Sequence, residues 1–124
     1  MVHDSIGRSL SLNEHVHLFT LAAINAFCEE VTSRGFWRAE YQKYTTITNA
    51  NLLQAVMFGI WHYHGIPSGY TGVGLTFVYG SIMGLLQDYF GGGLLLPILA
   101  HTLADYFIFS VIARQDKQQQ VKQQ

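Results

Sequence analysis

Charge is what this sequence lacks most: Asp, Glu, Lys and Arg make up 12% of its 124 residues, about half the share usual in a soluble domain. With a formal net charge of −1, nothing points to nucleic acid or to a strongly acidic substrate as a partner. Cysteine occurs once, as Cys28, which excludes an internal disulfide framework. Between Phe27 and Glu29 the thiol has no cation to activate it and reads as space-filling. The opening residues 1–14 are polar and carry no apolar run of the kind a signal peptide needs, so a cleavable leader is not expected. The length suits one domain.

What is present in quantity is apolar sequence, in four stretches. Residues 16–28 are interrupted only by His17, Thr20 and Asn25. Residues 52–66 contain His62 and His64, and residues 65–87 hold no charge and no histidine. Residues 94–113 have His101 and Asp105 as their only acidic or basic side chains. A spanning helix needs about 20 apolar residues; the third and fourth stretches meet this, and the first two meet it with their polar ends counted. Both long stretches are apolar all round rather than striped, which a soluble helical domain does not explain. The expectation is an all-α, multi-pass integral membrane helix bundle with about four spanning helices. Residues 15–113 form its core, between the polar segment 1–14 and a Gln/Lys-rich, solvated tail at 114–124. Residues 37–44, with Trp37, Tyr41 and Tyr44 at spacings of four and three, suit an interfacial helix, or equally an ordinary exposed one.

Glycine and proline punctuate these stretches. Gly35 is expected to close the first helix, Gly65, Pro67 and Gly69 to break the chain after the second, and Gly91 to Gly93 to part the last two. Pro97 falls near a helix start, where it costs least. Gly80 and Gly84 form a GxxxG pair that favours a close helix crossing within the chain over a dimer contact. Lys and Arg divide four (Arg8, Arg114, Lys117, Lys122) against three (Arg34, Arg38, Lys43) across four spans, too evenly to give an orientation.

Ionisable side chains inside apolar helices need a partner or a task. Here they come at i, i+4 spacing, which puts both members of a pair on one helical face. In Glu29-Glu30-x-x-x-Arg34, Glu30 can pair with Arg34 while Glu29 turns about 100° away. One carboxylate is matched to the arginine; the other, desolvated, is disposed to take a proton from water as a general base. A charged helix end at a membrane surface would have the same composition. In Phe58-x-x-x-His62 the histidine lies on an apolar face, where a purely structural role is common. His64 lies about 200° around the helix, which disfavours a two-histidine metal site unless the helix unwinds at Gly65. In His101-x-x-x-Asp105 the aspartate can orient the imidazole and fix its tautomer, or the pair can be structural. Together the three motifs describe a polar intramembrane cavity with a base for water and donors for an oxyanion.

The order Glu-Glu-x-x-x-Arg, Phe-x-x-x-His, His-x-x-x-Asp/Asn, each on its own apolar helix, resembles the CAAX prenyl protease type II family, also called the CPBP or Abi family, of intramembrane proteases. The phrase Pro97-Ile98-Leu99-Ala100-His101 is similar to that family's last motif, and the likeness runs over residues 16–113. It implies an endopeptidase acting on a membrane-associated, prenylated or hydrophobic peptide within the lipid. By position Glu29 and His62 activate water, His101 and Asp105 stabilise the oxyanion, and Glu30, Arg34 and Phe58 support the site. An ionised Asp105 is a poorer oxyanion donor than Asn, and its part is then to orient His101. The family has been read both as glutamate-dependent and as metal-dependent, so zinc held by Glu29, His62 and His101 is the cofactor to consider. Two alternatives are a non-catalytic membrane immunity or scaffold protein of the same fold, and a proton or metal-ion conduit. The sequence does not speak to oligomeric state.

Overall fold

Ser11 opens the first helix, α1 (Leu12–Glu30), with a capping box. Its backbone N–H donates to Glu14 Oε2 at 2.7 Å, and its Oγ accepts from the Glu14 N–H at 3.3 Å, which satisfies two of the donors a helix start leaves open. The computed structural model describes residues 9–123 apart from the Val121 side chain, so most of the polar segment, with Arg8, lies outside the described residues.

Gly35 does not close this helix. Beyond Glu30 the chain enters a π-helical stretch, Val31–Trp37, and continues into α2 (Arg38–Gln42), with right-handed helical dihedrals kept at Glu30, Trp37 and Arg38. A glycine stops a helix by taking the left-handed conformation, and among the described residues the glycines with positive φ are Gly69, Gly91 and Gly92. At Gly35 the missing Cβ instead makes room for Leu94, whose Cδ1 would lie 3.3 Å from it.

Helix α3 (Ile47–Trp61) starts ahead of Leu52 because Thr46, in extended conformation, accepts a hydrogen bond from the Asn49 N–H and caps the helix. A 3₁₀ turn, His62–His64, follows. Helix α4 (Gly69–Tyr89) ends in Gly91 and Gly92, at φ 78° and 85°, with the Gly92 N–H donating to Gln87 O at 2.7 Å; only glycine takes this geometry without strain. Helix α5 (Leu95–Lys122) runs through most of the expected tail. Gln, Lys and Arg are good helix formers, and Lys117 Nζ lies 2.5 Å from Glu14 Oε1. Among the described residues there is no strand.

The chain divides into two units, one of the described residues up to Ala26 and from Leu99 onward, the other Phe27–Ile98. In the second, α3 and α4 cross at close range. Gly72, Thr76, Gly80 and Gly84 recur every fourth residue and are all buried. A Cβ on Gly59 would stand 2.8 Å from the Val73 carbonyl oxygen, and one on Gly80 would stand 3.4 Å from Ala55 Cα. Asn51 Nδ2 and Gln54 Nε2 donate across the crossing to Ser81 O and Gly80 O at 3.1 and 3.0 Å. This is the backbone approach that small residues permit in lipid, and Gly80 and Gly84 serve it within the chain, as their spacing predicts.

Burial is inverted relative to a soluble protein. The largest fully buried side chains are Arg34, Gln54, Glu30, Pro97 and Ser33, while Leu75, Ile82, Leu85, Leu99, Leu103 and Phe107 are exposed. Water would oppose both choices; hydrocarbon favours them. Two helices are long and apolar enough to cross a membrane, Gly69–Tyr89 and Leu95–Gln120, with 28% and 22% of their most apolar windows buried. A soluble core helix would be mostly covered.

Candidate active site

Glu29 and Glu30 close α1, and the helical turn that follows carries Arg34 back beside Glu30. Arg34 Nη1 lies 3.1 Å from Glu30 Oε1, with both side chains fully buried. The guanidinium sits over the Phe58 ring, 4.4 Å from its centroid. Phe58 in turn packs against the His62 ring at 4.4 Å, one helical turn on, as their i, i+4 spacing requires. His62 Nε2 faces Glu29 Oε2 at 3.8 Å. The motif residues of this unit thus form a closed circuit, from Glu29 through Glu30, Arg34, Phe58 and His62 back to Glu29.

The other ring nitrogen defines what His62 can do. Nδ1 lies 2.9 Å from the Phe58 carbonyl oxygen. A carbonyl only accepts, so Nδ1 carries a proton, and neutral His62 presents the Nε2 lone pair toward Glu29. This arrangement exists because α3 tightens into the 3₁₀ turn at His62. The same turn keeps the two histidines apart: His62 is buried and His64 exposed.

His101 and Asp105 belong to the other unit. They are buried on α5, with Nε2 and Oδ1 3.5 Å apart, an electrostatic contact at the outer limit of hydrogen bonding. Asp105 Oδ2 also accepts a hydrogen bond from Asn25 Nδ2 at 2.9 Å. The sequence shows Asn25 only as an interruption of an apolar run; its signal was that one amide in that setting. Arg38 is likewise more than an amphiphilic surface residue. It is buried, donates from Nη1 to Gln87 Oε1 at 2.6 Å, and pairs with Asp88, clamping α2 to the end of α4. Among the described residues no three His, Cys, Asp or Glu side chains are gathered to hold a metal ion.

The family model of the Type II CAAX prenyl endopeptidase Rce1-like proteins matches residues 11–107. The chain belongs to this family. No curated protein and no solved structure matches it. The match runs from α1 into the first half of α5 and takes in all three motifs, and the family is membrane-embedded, in keeping with the polar interior and apolar exterior described above.

Proposed function

We propose that the chain is a multi-pass intramembrane endopeptidase that hydrolyses a peptide bond in a hydrophobic or lipid-tethered, prenylated peptide. The observation that supports it is the contact of Glu29 Oε2 with His62 Nε2 at 3.8 Å, the imidazole being held by its other nitrogen. That gap is too long for a direct hydrogen bond and suits one water set to the side, about 2.8 Å from each group. Glu29 takes a proton from this water as its oxygen attacks the scissile carbonyl, while the His62 lone pair accepts a hydrogen bond from the O–H that remains and aims the nucleophile. The tetrahedral intermediate carries an oxyanion, and donation to it from the Nε2–H is the role that the likeness of His101-x-x-x-Asp105 to the family's motif gives His101. An ionised Asp105 has no proton to give and serves by orienting His101. Glu29 then passes its proton to the departing amine, the peptide bond breaks, and the carboxylate is restored. No step is routed through a metal.

The experiment is cleavage of a peptide library by the purified, reconstituted protein, with and without a chelator. Glu29→Gln and His62→Ala each lose at least about 100-fold in rate, in the range general acid–base groups supply, and the chelator leaves the wild-type rate unchanged. Full cleavage by Glu29→Gln would sink the assignment. Loss of activity on chelation would replace the metal-free route.

A further inference from the structure

We infer that Asn25 is a positioning residue for His101, acting through Asp105; the inference rests on the proteolytic reading for its consequence and on geometry for its substance. Asn25 Nδ2 donates to Asp105 Oδ2 at 2.9 Å, across a sequence separation of 80 residues, and Asp105 Oδ1 is the oxygen that faces His101 Nε2 at 3.5 Å. The two carboxylate oxygens are therefore divided between two neighbours. A carboxylate on an apolar helix is free to turn about its last side-chain bond unless something holds one oxygen. Asn25 supplies that hold from α1, and the remaining oxygen stays directed at the imidazole.

The consequence is chemical as well as steric. An amide N–H can only donate, so the Asp105 oxygen on that side accepts and carries no proton. With Asp105 accepting from both sides, the tautomer of His101 favoured here carries its proton on Nε2. Asn25 thus sets which nitrogen of His101 is protonated without touching it. The sequence offers the means to distinguish this from packing, because Leu is nearly isosteric with Asn and donates nothing.

The test uses the full chain, reconstituted in lipid. Asn25→Leu lowers kcat by about 10- to 100-fold, the range found when the partner that orients a functional group is removed, with KM within twofold; Asn25→Gln, which keeps the donor, recovers part of the loss. In an Asp105→Ala background, Asn25→Leu has no further effect on kcat. Should Asn25→Leu fail to fold, Asn25→Ser, too short to reach Asp105, carries the same expectations. Independently of activity, ¹⁵N spectra of histidine-labelled protein, with His101 assigned by His101→Gln, show its Nε2–H tautomer depleted in the variant. An unchanged His101 spectrum overturns the inference, as does an equal loss of kcat with and without Asp105. If neither wild type nor Glu29→Gln cleaves any peptide, the proteolytic reading fails while the spectra still decide the role of Asn25.

Discussion

Removing the Arg34 cation while keeping its bulk should cost more stability than removing both members of its ion pair. Arg34 and Glu30 are fully buried, 3.1 Å apart, and the guanidinium also lies on the Phe58 ring at 4.4 Å. Arg34→Met keeps most of the side-chain volume but strips Glu30 of its cation in a medium of low dielectric. Breaking one half of a buried pair costs about 3–5 kcal/mol, within which the cation–π contact accounts for up to about 2 kcal/mol. In the double variant Glu30→Gln, Arg34→Met, the stranded charge is gone, and apolar or neutral replacements of buried pairs are often near neutral. The double variant should therefore be more stable than Arg34→Met alone, by about 2 kcal/mol or more. Equilibrium unfolding in bicelles, followed by the fluorescence of Trp37 and Trp61, measures all four corners of the cycle. If the two single substitutions simply add, the pair is not coupled and the reasoning fails.

Two further predictions come from other parts of the fold. Gly59→Ala places a Cβ 2.8 Å from the Val73 carbonyl oxygen, while Gly74→Ala meets nothing within 4 Å. The first should destabilise by about 1–3 kcal/mol and the second should be neutral or stabilising by up to about 1 kcal/mol, and equal thermal unfolding of the two would refute the crossing. At the start of α1, the hydrogen bond from Lys117, helped by the Ser11 N–H, holds the Glu14 carboxyl at about 2 against 4.5. A carboxyl depressed in the folded state stabilises above its ordinary value and loses that contribution as pH falls toward the folded one. Between about pH 4.5 and 2, Glu14→Gln should therefore flatten the decline in stability, and an unchanged pH dependence in that window would count against the pairing.

The apolar stretches made α4 and α5 legible, since lipid leaves an uninterrupted signal of length and composition. The boundaries were less so. Thr46 and the Ser11–Glu14 capping box state two helix starts plainly, yet they lie in polar sequence where an apolar pattern draws no attention. Gly35 misleads because glycine ends a helix only by its dihedrals, and those are set by what packs there, here Leu94. Within the site, i, i+4 spacing was enough to pair Glu30 with Arg34 and Phe58 with His62, because both contacts lie within one helical run. The contacts of Arg38 with Asp88 and of Asn25 with Asp105 join distant parts of the chain, and no local period encodes them.

The π-helical stretch carries a consequence for how this chain tolerates length changes. Its i, i+5 bonding, seen in the Arg38 N–H donating to Ser33 O, is that of an α-helix holding a residue in excess. Loss of one residue between Glu30 and Arg38 would relax the stretch toward an α-helix of nearly unchanged phase, whereas gain of one would shift the chain by only about 1.5 Å along the axis but swing every later side chain by about 100°. Arg38 would leave Gln87 and Asp88, while Glu29 and Glu30, upstream of the change, would keep their phase. Angular register, more than span length, is what this segment holds, so a single-residue insertion at 31–37 should be far less tolerated than deletion of a residue there other than Arg34.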